Sequence, residues 1–312
     1  MRGPAGLGIG LWLLFFALRS EAQSDVQLSQ HMFNRQVYNP AVTGASQYVN
    51  ITANIRDQWI GWEGAPKARI LSVHNFFESI RSGAGATIVH NELGLEEQLN
   101  VKLLYAYHVR LSENSYLSMG LGGGVLFRYF DRGGVLTENP DDPDFILADL
   151  DRKTLADFDF GLEFNTLRFT AGASVTHLTH SAQEKETFFS GRHFYGFARY
   201  QIQTGYNWQV EPAFYMQRVK NLTHLELSCL AYYRDRYWFG IAYRFNAGRE
   251  SESVVPMAGV EVADFLRIGY SYDIHVGGLR KYGHSTHELF VGLRIAKDPA
   301  RGGQYRTPRF FE

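Results

Sequence analysis

His177, His180, Ser181 and His193 flank residues 178–191 and bring together the side-chain types of nucleophilic chemistry. A hydrolase needs a hydroxyl held by an imidazole base and a third group that orients the base. Only the first two types are supplied here, and histidines and serines are ordinary in exposed loops, so the pattern does not predict an enzyme. A metal reading of His284, Ser285, His287 and Glu288 is weaker still, because residues three apart on an extended chain face opposite ways. Gly120, Gly122 and Gly124 lie in a strand-like run with no Lys-Ser/Thr after them, which excludes a phosphate loop. Glycines placed so leave room for larger side chains opposite, or let a wall bend. Around Pro140 and Pro143 cluster Glu138, Asp141, Asp142, Asp144, Asp149 and Asp151. Alternating aspartates suit calcium, but the spacing and closing glutamate of a calcium-binding helix–loop–helix are missing, so 131–153 reads as a solvated acidic loop. Cys229 has no second cysteine for a disulfide or a Cys-based metal site and is expected to pack. No catalytic residue, cofactor or metal site is expected.

The elements around these residues alternate. From Leu155 the apolar series Ala156, Phe158, Phe160, Leu162 and Phe164 opposes Asp157, Asp159, Gly161, Glu163 and Asn165. After Thr166 the series Leu167, Phe169, Ala171, Ala173 and Val175 opposes Arg168, Thr170, Gly172, Ser174 and Thr176. A period of two means extended chain. Carboxylates on one face and large aromatics on the other, over ten residues or so, is what a membrane-spanning strand needs.

The whole chain agrees. Over 312 residues, 15% aromatic content with a mean hydropathy of -0.24 excludes a bundle of apolar membrane helices. A formal charge of -1 gives no support to a nucleic-acid partner. Arg2, the apolar run Leu7 to Leu18, and Ser20-Glu21-Ala22 form a signal peptide over 1–22, with the mature chain beginning near Gln23. Residues 23–46 carry neither period and read as a periplasmic N-terminal segment, at most folded into the barrel mouth. Alternating strands then fill 47–295, about fourteen of them, an even number as bacterial single-chain barrels have. The fold class is thus all-β, a transmembrane antiparallel β-barrel of the bacterial outer membrane. The connections sort into a short set, placed in the periplasm, and an outer set whose members at 131–153, 178–191 and 276–284 are long, with Lys220 to Leu222 a short exception. A soluble β-sandwich is the rival fold, with the apolar faces packed inward.

On the polar face fall Asp157, Asp159, Glu163, Arg168, Arg128, Arg267 and Asp273, charges of both signs that can pair and close a lumen. A tail, 296–312, follows the last strand and is placed in the periplasm with the N-terminus. Its Arg306, Arg309, Phe310 and Phe311 have the make-up of a docking motif, cations steering and aromatics filling pockets. Asp141, Asp142 and Asp144 of the acidic loop are the matching candidates on the outer side.

The segments "QLSQHMFN", "NPAVTGAS", "RDQWIGWEGAPK", "RHFYGFARYQ", "WQVEPAFYMQRV", "YYRDRYWFGIAYRF", "AGVEVADFLRIGYSYD" and "HELFVGLRI" resemble the PorP/SprF family of type IX secretion outer-membrane proteins. The resemblance runs from about Gln27 to Ile295. It implies a non-enzymatic barrel, set in outer-membrane lipid, whose partners are type IX secretion components and a large secreted adhesin that it helps export or anchor in gliding bacteria. A transporter or porin for small solutes is the alternative. The acidic loop after Phe130 and the tail depart from the family pattern.

Overall fold

The computed structural model of the protein describes residues 25–46, 48–131, 152–179, 191–247, 249–276 and 285–296. Its strands are β1 (Val49–Asp57), β2 (Lys67–Phe77), β3 (Ser82–Leu93), β4 (Glu96–Ser112), β5 (Ser115–Phe130), β6 (Arg152–Thr166), β7 (Phe169–Thr176) and β8 (His193–Tyr200). There follow β9 (Ile202–Gln203), β10 (Trp208–Val219), β11 (Leu222–Tyr233), β12 (Tyr237–Ala247), β13 (Arg249–Val262), β14 (Leu266–His275) and β15 (Thr286–Ile295). The short β9 continues β8 past Gln201 along the same neighbour, β10, so the wall has fourteen staves.

Each stave runs antiparallel to its neighbours in sequence, and the ring closes where β15 pairs with β1, from Val49↔Ile295 to Asp57↔His287. Closure leaves no unpaired edge, which is what a sheet in hydrocarbon requires. At one rim, here the turn rim, every connection is short. Two of them, at Arg234-Asp235 and Ala263-Asp264, hold both residues at positive φ, the geometry that suits the right-handed twist of paired strands. The opposite end, the loop rim, carries the connections after β5, β7 and β14. No helix among the described residues is long and apolar enough to cross a membrane.

Alternation sends the apolar series outward. Leu103 is 72% exposed, Leu121 60% and Phe160 40%, whereas Asp157, Asp159 and Glu163 on the other face are buried. Large apolar side chains exposed around a closed sheet form the lipid-facing surface of a transmembrane barrel, and the sandwich alternative is excluded. The blurred pattern of β2 has a local cause. Arg69 points outward near the loop rim, where it donates to Asp57 Oδ1 at 2.7 Å, while Ile70 is buried on the inside.

What buries Ile70 is the stretch Asp25–Ser46. Expected at the periplasmic end, this segment instead runs through the barrel as a plug. It starts at the loop rim, where Asp25 lies against His177 and His193 at the ends of β7 and β8. It leaves at the turn rim, where Gly44 packs on Gly83 near the start of β3. Three single 3-10 turns, at His31–Phe33, Arg35–Val37 and Pro40–Val42, fold it. Asn39 starts the last of them, its side chain accepting from the Ala41 N–H, with Pro40 supplying a preset φ. Two apolar clusters seat the plug: Met32 and Phe33 against Leu230, Trp238, Val255, Met257 and Phe290, and Leu28 and Tyr38 against Ile70, Tyr195 and Tyr215. Lumen-facing positions are apolar where the plug touches them with apolar atoms, which is why inward alternation is imperfect.

Candidate functional site

Glycines let the plug approach the wall. A Cβ on Gly120 would lie 2.2 Å from the Ala41 nitrogen, and one on Gly83 2.0 Å from the Thr43 carbonyl oxygen. Atoms cannot approach so closely, so Gly120 of β5 and Gly83 of β3 mark where the plug's Pro40–Gly44 stretch rests on the wall.

Charge holds the plug's beginning. Asp273 on β14 receives Arg56 of β1 at 2.6 Å and Arg244 of β12 at 3.1 Å, and its other oxygen accepts from the Ser29 hydroxyl at 2.7 Å. Glu288 on β15 accepts two plug backbone N–H groups, Ser29 at 2.6 Å and Gln30 at 2.9 Å. Arg244 also donates to Glu226 of β11 at 2.7 Å, and His31 Nε2 donates to the other Glu226 oxygen at 2.8 Å. All five wall residues are buried. Each carboxylate meets an arginine, a plug donor, or both, which is the condition for burying charge without a large penalty.

Further round the wall, Lys102 of β4 bridges Asp157 at 3.0 Å and Asp159 at 2.7 Å, and Asn100 donates to Asp157 at 2.8 Å. Asp157 lies 2.9 Å from His177 Nδ1, whose Nε2 donates to Asp25 at 2.9 Å. Tyr195 gives its hydroxyl proton to the other Asp25 oxygen at 2.7 Å, and His193 Nε2 accepts the Asp25 N–H at 3.0 Å. Nearer the turn rim Arg35 of the plug pairs with Glu163 at 2.5 Å and lies over the Phe197 ring at 5.0 Å.

The predicted residues therefore divide. Asp157, Asp159, Glu163 and Asp273 line the lumen in contact with the networks above. Arg128 is buried near the loop rim and its Nε donates to Glu96 at 2.8 Å; Arg267, half-buried at the turn rim, donates to Glu261 at 2.8 Å. Arg168 is not on the lumen wall. It is exposed in the reversal between β6 and β7, where alternation counted straight through the turn no longer tells inside from outside. Asp141, Asp142, Asp144, Arg306, Arg309, Phe310 and Phe311 lie outside the described residues.

Sequence patterning missed the plug's Asp25, Ser29, Gln30, His31 and Arg35, because the segment has no period; the one available signal was the polar run Gln27–Gln30 in a stretch otherwise lacking strand character. A serine–histidine pair does exist, Ser118 donating to His108 Nδ1 at 2.7 Å. His108 Nε2 in turn donates to the Thr43 carbonyl at 3.0 Å, so the pair is buried beneath the plug as wall structure. Cavities remain at both ends: about 250 Å³ at the loop rim beside Asp25, Arg56 and Trp59, and about 140 Å³ at the turn rim beside Arg35 and Glu211. The plug lies between them.

Among solved structures the fold is similar to the Ralstonia pickettii toluene transporter TbuX, with a TM-score of 0.53, 10% identity, and 83% of this chain and 93% of that one covered. It is also similar to the CymD monoaromatic hydrocarbon channel, with a TM-score of 0.52, 10% identity, and 86% and 92% covered. At such identities the likeness speaks for the barrel alone. The comparison with curated proteins finds no match. The family model described as type IX secretion system membrane protein PorP/SprF matches residues 20–293, nearly the whole barrel and its plug. The chain belongs to the PorP/SprF family, as an outer-membrane β-barrel of the type IX secretion system.

Proposed function

We propose that this barrel is a non-enzymatic part of the type IX secretion and gliding machinery that assists export or surface anchoring of a large secreted adhesin. The observation that carries this reading is the filled lumen. A conduit for solutes needs a continuous aqueous path, whereas here residues 25–46 are tied to most of the wall by charge and close packing. What such a barrel offers a partner is its rims. With the rim of uniformly short turns in the periplasm and the rim of the long connections outside, Asp141, Asp142 and Asp144 face the adhesin. The tail 296–312 then meets the secretion apparatus through Arg306, Arg309, Phe310 and Phe311. The plug segment is buried in the barrel and is not part of that docking surface.

Two measurements test the reading. Purified protein in planar bilayers should show no steady conductance above background, and removal of residues 25–46 should open it. A steady conductance from the intact barrel would favour a solute channel instead. In cells, deleting residues 297–312 should leave the barrel inserted and lower adhesin display; unchanged display would remove the tail from the proposal.

A further inference from the structure

Asp25, His177 and His193 come from three separate parts of the chain, yet one ligand atom from each lies within 4.8 Å of the other two. His177 Nε2 stands 2.9 and 3.1 Å from the two Asp25 oxygens. Two ligand atoms on one zinc ion, with bonds of about 2.0–2.1 Å, stand about 3 Å apart as well. Both imidazoles are oriented from behind. His177 Nδ1 is 2.9 Å from Asp157, itself fixed by Lys102 and Asn100, and His193 Nδ1 donates to the Gly191 carbonyl at 2.9 Å. A histidine whose Nδ1–H is engaged by a carboxylate or carbonyl presents Nε2 as the ligand, and this outer support is a regular feature of metal sites.

Three carboxylates, those of Asp25, Asp157 and Asp159, gather here, with the Lys102 ammonium between Asp157 and Asp159. The loop-rim cavity reaches Asp25 and gives access, and a smaller one of about 50 Å³ beside Asp25, Lys102 and His177 has room for a water ligand.

We propose that Asp25, His177 and His193 bind a divalent transition-metal ion of the zinc class, which staples the start of the plug to the wall at the loop rim. Two imidazoles with one carboxylate select zinc, nickel or copper over calcium and magnesium. On binding, His177 gives up its Nε2 proton to solvent. The metal also takes the His193 Nε2 lone pair now engaged by the Asp25 N–H, so the Asp25 backbone shifts to release that one bond.

The test uses the full chain, folded in detergent, stripped with chelator and titrated with zinc alone by calorimetry. One ion per chain is expected, with micromolar or tighter affinity. D25N and H193Q should each weaken it at least tenfold, and D157N, which acts through His177, by roughly tenfold. H90Q, on an exposed histidine beside Glu97 at the same rim, should bind as the parent does. Equal zinc uptake by the parent, D25N and H193Q overturns the site, as does no uptake by the parent up to millimolar zinc. Should the variants not give the heat-modifiable gel migration of a folded barrel, the parent decides by itself with cobalt(II). A visible absorption band with imidazole character supports the site, and its absence from folded, saturated protein overturns it. None of these readouts depends on the role in secretion.

Discussion

The two faces of β6 obey different rules. Outward, Phe158, Phe160 and Leu162 need only be apolar, because lipid offers no particular partner. Inward, Asp157, Asp159 and Glu163 each meet a named group: His177 and Lys102, Lys102 again, and Arg35. The outer face is a solvent boundary, and any apolar side chain of moderate size serves there. The inner face works as an interior whose specificity depends on a second piece of chain. An inward error should therefore cost more than an outward one, and should act on the plug before it acts on the wall.

Arg56→Ala should have the largest effect. It strips Asp273 and Glu288 of a shared cation in a buried network, and loss of one member of such a network costs about 3–5 kcal/mol. Denaturant refolding into lipid vesicles measures it, and a cost below that of an outward substitution would reverse the comparison. Phe160→Arg comes next, with about 2–4 kcal/mol expected for an arginine set near the middle of the lipid face. Its mark is impaired insertion, with plug accessibility to protease unchanged in the molecules that do insert. Gly120→Ala sharpens the inner side: the added methyl overlaps Ala41, overpacking typically costs about 1–3 kcal/mol, and protease sensitivity should rise in residues 25–46 before the barrel itself melts. Arg168→Ala should be the smallest, with no resolvable shift in the refolding midpoint, since the side chain is exposed in a turn; a shift as large as that of Gly120→Ala would mean the turn supports the wall.

The same division governs what could be read from the residues. A two-residue period is a property of the wall alone, so Leu155 to Val175 announced two strands, their lipid faces and the inward carboxylates without further help. The partners of those carboxylates could not be read, because that of Glu163 belongs to Asp25–Ser46, whose 3-10 turns have no repeating pattern to detect, and those of Asp157 and Asp159 stand on β4 and just past β7. Gly120, Gly122 and Gly124 fall on the inner face as expected, but only the purpose of Gly120 depends on where Pro40 and Ala41 lie; Gly122 makes room for Leu104 and Asp159, and Gly124 for Val101 and Lys102. His177 and His193 stood out for nucleophilic chemistry, and their common neighbour, Asp25, is 152 residues from the first of them.

The Ser29 and Gln30 N–H groups bind Glu288, 259 and 258 residues further along the chain. The carboxylate that anchors the start of the plug thus sits on β15, the strand that also closes the ring on β1. Seating the plug and closing the barrel must then finish together, and the entropy of so long a loop is lost before either contact forms, a recipe for slow folding. Until β15 arrives, residues 25–46 have no completed seat, and Arg56 and Asp273, although paired with each other across the gap in the finished protein, are held on strands not yet joined. A growing chain in this state presents an apolar, charged and unsatisfied inner face, which is the surface a periplasmic holdase or an insertion machine would have to shield.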